Sequence, residues 1–322
     1  MSFITTFISV FMSAFMAAFP ILSVLAPSGF SAKEEGVLLN MSVVSDTHLD
    51  EKFSPLAWFL GIGLRDMASA KTPVDVVAVT GDLTNYGDEA SIDEFFDTMQ
   101  KNWDGKAIIA MGNHDIGHVE DKPHEEARQY FVDKYNEYQD FNIEKSYYSA
   151  QVKGYTFIVL TDEAEDSWDH PDLFEEQLTF LDTELAKASE DGKPVFVISH
   201  WPLAGTHGEE TAWDDGDIGE PYSTQIQEIL EKYKNVFFIS GHIHIGLNGN
   251  FTREEFGVSS YDRRNGVNYL NLPSYGLFSR YGTLLGGKGY QVEVYSDKVI
   301  LRARNFVTHN WYNLYETVVE LD

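Results

Sequence analysis

The 322-residue chain contains no cysteine. Disulfides, thiolate metal ligands and a cysteine nucleophile are excluded at once, and redox chemistry says nothing about compartment. Basic side chains are scarce as well: 23 Lys and Arg stand against 51 Asp and Glu, a formal charge of -28. Such a surface repels the phosphate backbone of long nucleic acids and anionic lipid headgroups, so non-specific binding to either is disfavoured. The G-x-S-x-G nucleophile elbow is missing, which removes the usual serine-hydrolase arrangement. No repeat, low-complexity linker or composition break divides the chain, and 43% hydrophobic with 14% aromatic residues suffices for one large core.

Charge is also absent from residues 1–32, and residues 3–26 are almost continuously apolar. That length suits a bilayer span, which needs about 20 apolar residues, or the apolar region of a secretory signal. No Lys or Arg precedes the run, and the cleavage sites are poor: Phe30 stands two positions before Ala32, and Pro27 follows Ala26. Residues 1–32 are therefore expected to be a targeting segment, signal peptide or membrane anchor, with a docked N-terminal helix as the alternative. Residues 33–322 are expected to form a single domain, extracytoplasmic, secreted or membrane-anchored. Oligomeric state is not encoded legibly.

From Lys33 onward apolar runs and amphipathic stretches alternate as in α/β architecture. Strands are expected over residues 38–44, 75–80 and 107–111, with helices over 54–70, opened by Ser54-Pro55, and 88–103, which carries Ile92, Phe95, Phe96 and Met99 on one side. A helix over 123–138 follows. Strands over 147–152 and 155–160 flank a Lys153-Gly154 turn, and a helix over 171–189 comes next. Two short strands, 195–199 and 236–240, bracket a loop over 201–222 and a helix over 223–234. Beyond that the chain is mostly β in character, with candidates at 269–272, 290–295 and 299–305.

Five short polar stations follow these strands: Asp46-Thr47-His48, Gly81-Asp82, Gly112-Asn113-His114-Asp115, Ser199-His200 and Gly241-His242-Ile243-His244. Each has a plain alternative when taken alone. Asp46 and His48, two apart, share a face of an extended segment, but such a triplet also fits a turn with a solvated Asp. Gly81 lets the chain turn at a strand end and direct Asp82 out of the sheet edge. The third station offers an amide oxygen, an imidazole and a carboxylate, against an ordinary Gly-Asn turn. His242 and His244 have a spacing suited to feeding two neighbouring metals, although a lone histidine pair can be a surface accident, and His200 alone reads as a strand-end histidine. Their shared position at carboxyl ends of strands, where open α/β sheets build ligand sites, is what turns five weak signals into one.

With these motifs in the order D-x-H, G-D, G-N-H-D, H and G-H-x-H, the chain resembles the calcineurin-like metallophosphoesterase superfamily over residues 38–246. Gly81-Asp82-Leu83-Thr84-Asn85-Tyr86-Gly87, and Leu160-Thr161-Asp162 ahead of a Glu-Gln-Leu helix, are most similar to its cyclic-nucleotide phosphodiesterase-like branch, although Thr161 stands where that branch often has another small or acidic residue. The resemblance implies an α/β fold with two sheets flanked by helices (α/β/β/α) and a metal site at the carboxyl ends of strands. It implies two divalent ions, one held by Asp46, His48, Asp82 and His244, the other by Asp82, Asn113, His200 and His242, with Asp82 bridging. His114 would act as general acid on the leaving oxygen, oriented by Asp115. Two such ions activate a water and clamp an in-line displacement at phosphorus; with nitrogen and oxygen donors they would be Mn, Fe or Zn.

The expected activity is therefore hydrolysis of a small phosphodiester. A phosphomonoesterase such as a nucleotidase is the alternative within the enzyme class, and a non-catalytic membrane-tethered binding protein on the same fold is the alternative outside it. Two features are decoys or open. Residues 282–288 nearly spell a P-loop, but Gly289 replaces the required Ser or Thr. The 201–222 loop, with His207, Trp213 and six acidic residues, would either cap the site or be a solvated acidic loop.

Overall fold

The structure, a computed structural model, describes residues 27–52, 55–116, 123–164, 171, 173–207, 217–244, 247, 260–276 and 286–322. Most of the expected targeting segment, residues 1–26, lies outside the described residues, as do Trp213 and most of the near-P-loop. Among the described residues no helix is long and apolar enough to cross a membrane.

Among the described residues, twelve strands form two six-stranded sheets. In the first sheet β1 (Leu39–Val44), β2 (Val76–Thr80) and β3 (Lys106–Ala110) run parallel, and β10 (Lys288–Val294), β11 (Lys298–Asn305) and β12 (Thr317–Glu320) extend it antiparallel in the order β12-β11-β10-β1-β2-β3. The second sheet has the order β4-β5-β6-β7-β9-β8. Its centre is β5 (Tyr155–Val159), β6 (Val195–Ile198), β7 (Val236–Ser240) and β9 (Val267–Asn271), all parallel. Its edges, β4 (Tyr148–Val152) and β8 (Tyr261–Arg264), pair antiparallel. This is the two-sheet, helix-flanked α/β architecture expected. Strands β8 and β12 were not anticipated: Tyr-Asp-Arg-Arg and Thr-Val-Val-Glu are half-exposed edge strands without the apolar run that marks a buried one.

The period-2 rule divides the apolar residues of β5, β6 and β7 between two cores. Phe157, Phe196 and Phe237, paired across β5, β6 and β7, point between the sheets and pack with ring centroids 5.3 and 5.6 Å apart. Their neighbours Ile158, Val197 and Phe238 point the other way, into a second cluster with Leu181, Leu185, Ile226 and Leu230 from the outer helices Glu175–Ala188 and Tyr222–Leu230. On the first sheet the helix Glu89–Asn102 is capped by Asp88, which accepts from the Ser91 amide, and buries Ile92, Phe95, Phe96 and Met99 as its spacing required. Burying a large apolar side chain is worth roughly 1.5–3 kcal/mol, so these two layers set the spacing of everything at the strand ends.

Packing of the domain begins before Lys33. Phe30 belongs to the core, and Ser28 donates to Asp66 in the helix Pro55–Ala68 through its amide at 2.8 Å and its hydroxyl at 2.7 Å. Arg304 donates to the other Asp66 oxygen at 2.7 Å, and its guanidinium lies 4.4 Å from the Phe30 ring and 4.5 Å from the Trp311 ring.

Lys288, the last residue of the near-P-loop, opens a strand and not a helix. It is 4% exposed, and its ammonium donates to the Leu247 carbonyl at 3.2 Å. Burial pushes the ammonium down to about 8 from an ordinary 10.5. Between those values the unfolded chain holds more of this proton than the folded one, so this group makes stability rise with pH across the window, and its full cost is present below it. Lys288→Met is expected to remove that rise, on the order of 3 kcal/mol at about 1.4 kcal/mol per unit. The measurement is the difference in urea-unfolding free energy between the two proteins at pH 7, 8, 9 and 10.

Candidate metal centre

All five stations lie where β1, β2, β3, β6 and β7 end. The first sheet contributes Asp46, His48, Asp82 and Asn113, and the second contributes His200, His242 and His244. Their side chains meet in two groups of donor atoms: Asp46, His48, Asp82 and His244, and Asp82, His200 and His242, each within 4.8 Å of one another. Asn113 joins the second group, its amide oxygen 3.1 Å from His200 Nε2.

Asp82 belongs to both groups because its two oxygens diverge. Oδ1 lies 3.2 Å from His200 Nε2, and Oδ2 lies 3.7 Å from His48 Nε2. In the first group His244 Nε2 is 3.0 Å from Asp46 Oδ1 and 3.2 Å from His48 Nε2; in the second, His242 Nδ1 is 3.1 Å from His200 Nε2. Ligands about 2.1 Å from a common ion stand roughly 3.0–3.4 Å apart in octahedral or tetrahedral coordination. The donor spacings fit one ion in each group, with Asp82 shared.

The chain reaches this arrangement through left-handed backbone, not through strand alternation. Asp46 (φ 55), His48 (φ 48), Asp82 (φ 49), His242 (φ 66) and His244 (φ 50) all have positive φ, uncommon for residues with a Cβ and concentrated at functional sites. Asp46 and His48 therefore do not share the face of an extended segment, as the two-residue spacing suggested. They converge because the segment is paired to the next loop: the amides of Asp46, His48 and Leu49 donate to the carbonyls of Gly81, Asp82 and Leu83 at 3.0, 3.0 and 2.9 Å.

Electrostatics follow from burial set against mutual charge. Burial works to raise Asp46, but the charge and hydrogen bond of His244 with the charge of His200 outweigh it and hold Asp46 at about 2. Asp82 is likewise held well below the usual carboxylate range, against its burial, by His200 and His114. Burial pushes His48 down to about 4 and His242 down to about 3, so both are neutral imidazoles at neutral pH, with a lone pair open to a cation. For His200 burial is overcome by Asp82, which raises the imidazole to about 9. Its Nδ1 donates to the Thr80 carbonyl at 2.9 Å, which aims Nε2 into the donor group.

A family model for the calcineurin-like phosphoesterases matches residues 41–246. The chain belongs to this family. As a calcineurin-like phosphoesterase it is a metal-dependent hydrolase of phosphoric esters, and its donor groups suit two divalent ions. A dimetal phosphatase from Danio rerio superposes with a TM-score of 0.61 at 13% identity, covering 89% of this chain and 100% of that one. A purple acid phosphatase from yellow lupin seeds gives 0.58 at 15% identity, covering 88% of this chain and 54% of that one. These likenesses establish the shared fold. No curated protein sequence matches the chain.

In this calcineurin-like phosphoesterase His114 stands beside the donors, its ring packed edge-on against His48 with centroids 4.8 Å apart and its Nε2 4.0 Å from Asp82 Oδ2. Its Nδ1 faces the Asn85 carbonyl at 2.8 Å, and a carbonyl only accepts, so Nδ1 carries the proton. The expected pairing of His114 with Asp115 gives way to this contact. Asp115 instead accepts from the Gly112, Leu83 and Thr84 amides at 2.9, 3.0 and 2.9 Å, and from the Thr84 hydroxyl at 3.0 Å. The single turn Asn113–Ile116 turns its carboxylate onto the backbone after β2 and β3, where it ties the Asp82 loop to the Asn113 loop. Burial, followed by the charge of Asp82, raises Asp115 to about 6 against those amide donors.

Two further residues were missed by motif. Trp201, directly after His200, is fully buried against the rings of His200 and His242, at 5.1 and 6.0 Å; nothing in the sequence marks this tryptophan off from any core aromatic. Asn85 acts through its backbone, which leaves no residue-type signal. His207, proposed as part of a cap, is buried beside Tyr269 with its amide donating to Asp262 at 3.3 Å.

The glycines before the ligands are required by contact. A Cβ on Gly81 would lie 2.6 Å from His200 Nδ1, and one on Gly112 would fall against Asp82 Oδ1 and 2.5 Å from the Asp82 amide nitrogen. Gly112→Ala is therefore expected to displace the shared carboxylate and lower bound metal from two ions per chain toward zero, where Gly219→Ala, with open space around it, leaves metal content unchanged. Elemental analysis of the purified variants after dialysis decides this.

Proposed function

We propose that this calcineurin-like phosphoesterase hydrolyses small phosphodiesters with two bound divalent ions, Asp46, His48, Asp82 and His244 holding one and Asp82, Asn113, His200 and His242 the other. The observation that carries this is the division of the Asp82 oxygens between two donor groups, with His114 Nε2 4.0 Å from one of them. Bound at these donors, Mn, Fe or Zn would polarise the phosphoryl group and acidify a water. His114 serves as general acid: its Nδ1–H is fixed on the Asn85 carbonyl, which leaves Nε2 facing the centre as the atom that passes a proton to the leaving oxygen. Asp115 acts one step back, holding together the loops that carry Asp82 and His114.

The preference for a diester rests on the resemblance of residues 81–87 to the cyclic-nucleotide phosphodiesterase-like branch, and on charge. A diester carries one negative charge where a monoester carries about two near neutrality, so a chain of formal charge -28 repels it less. Paired aryl diester and monoester substrates, assayed on Mn-, Fe- and Zn-loaded protein, are expected to show the higher kcat/KM for the diester; a higher value for the monoester would make the enzyme a phosphomonoesterase. His114→Gln is expected to keep two ions per chain while slowing alkyl esters, which leave poorly, by about 10²–10⁴-fold, with a smaller loss on nitrophenyl esters. Equal losses on both would remove His114 as the acid.

The apolar residues 1–32 direct the chain to or across a membrane, which places the activity outside the cytoplasm. N-terminal sequencing of the exported protein is expected to begin near residue 27, ahead of the packed Ser28 and Phe30, if the segment is a cleaved signal, and at residue 1 or 2 if it is an anchor. Recovery of the chain only from the cytoplasm would refute export.

A further inference from the structure

The two donor groups draw on different sheets, and something must hold those sheets in register at the strand ends. His200 does so through its bond to the Thr80 carbonyl and the His242 amide through its bond to Asp46, and a further set of hydrogen bonds comes from residues 271–276, beyond the region matched by the family model. This segment leaves β9 in the second sheet on the way to β10 in the first. At its start Asn271 is fully buried, and its Nδ2 donates to Ser240 Oγ at 3.0 Å and to the Gly241 carbonyl at 2.6 Å. The Leu272 amide donates to the Ser240 carbonyl at 2.8 Å. Two residues later the same segment grips the first sheet. Ser274 Oγ donates to the Asp46 carbonyl at 3.2 Å, the Gly276 amide to the same carbonyl at 2.9 Å, and the Tyr275 amide to the Ser45 carbonyl at 2.8 Å. Tyr275 anchors the segment from behind, its hydroxyl donating to the Phe59 carbonyl at 3.3 Å inside the helix Pro55–Ala68.

These contacts fall on backbone that is costly to hold. Asp46 and His242 both have left-handed φ, a conformation that persists in a residue with a Cβ only when its surroundings over-determine it. The carbonyl of Asp46 and the carbonyl preceding His242 are the groups the segment binds. We propose that residues 271–276 are a positioning strap for the metal centre: Asn271 and Ser274 fix the Gly241-His242 peptide of one sheet and Asp46 of the other so that the two donor groups meet at Asp82. This rests on the metal-binding role proposed above and assigns the C-terminal part of the chain a part in it.

The test compares Asn271→Asp, which keeps the shape but replaces the donor with a carboxylate oxygen, and Ser274→Ala with a matched control. Asn268→Asp is that control: Asn268 sits in the same strand, is buried, and donates through Nδ2 to the Val236 carbonyl at 3.1 Å at the far end of β7. Chelator competition gives the Mn affinity and stoichiometry of each full-length variant, and thermal unfolding in EDTA gives the stability of the metal-free chain. The strap variants are expected to lose about 10–100-fold in affinity, as removal of groups that orient ligands does, with a metal-free Tm no lower than that of Asn268→Asp, which keeps its affinity. Affinities of both strap variants within about twofold of the unmodified chain, or an equal loss in Asn268→Asp, would overturn the strap alone. An unmodified chain that bound fewer than two ions would overturn the metal centre with it.

Discussion

Asp82 has to place one oxygen in each of two donor groups while fully buried, and that requirement reaches into both sheets. Desolvation of a carboxylate is costly, and it is offset here by His200 on one side and His114 on the other. The His114 amide adds a hydrogen bond to Oδ1 at 3.1 Å. The room for this carboxylate is made by glycines at 81 and 112, where any Cβ would strike His200 or Asp82 itself. The loops that carry it are then fixed by Asp115, whose carboxylate is saturated by three backbone amides and a hydroxyl. Shifting Asp82 would disturb both groups together, which is the physical content of a shared ligand.

A protein of formal charge -28 that acts on phosphate needs local positive charge. Cations held at the proposed centre would supply it, and the buried imidazoles are disposed toward them in different ways. His48 and His242 are kept neutral by burial, so they are free to donate lone pairs, and His200 is held in place by Thr80 and Asp82. In the proposed centre, two dications against the carboxylates of Asp46 and Asp82 would leave about +2 before substrate binds. His114 stands apart from this balance, because the Asn85 carbonyl settles that Nδ1 carries a proton and leaves Nε2 facing Asp82.

Much of this was legible in the chain. The βαβαβ opening showed in the spacing of apolar runs, and the helix Glu89–Asn102 showed in its cap and its apolar face. The seven donor residues could be picked out because each follows a buried strand. Edge strands β8 and β12 were hidden, since half-exposed strands have no continuous apolar signal. The partner of His114 was misread as Asp115 because neighbours in sequence look like neighbours in space. A single helical turn sends the two side chains different ways, and a backbone carbonyl, which carries no residue-type signal, takes the place beside the ring.

The sequence by itself determined which residues are candidates for the chemistry, in what order, and at which ends of the strands, because those facts depend on local pattern and residue type. The tertiary structure decided how they meet. Left-handed backbone at Asp46, Asp82, His242 and His244, the division of the Asp82 oxygens, and the segment after β9 that ties one sheet to the other all depend on hydrogen bonds between residues tens to hundreds of positions apart. Such contacts exist only once two sheets have packed face to face, and no spacing along the chain encodes them.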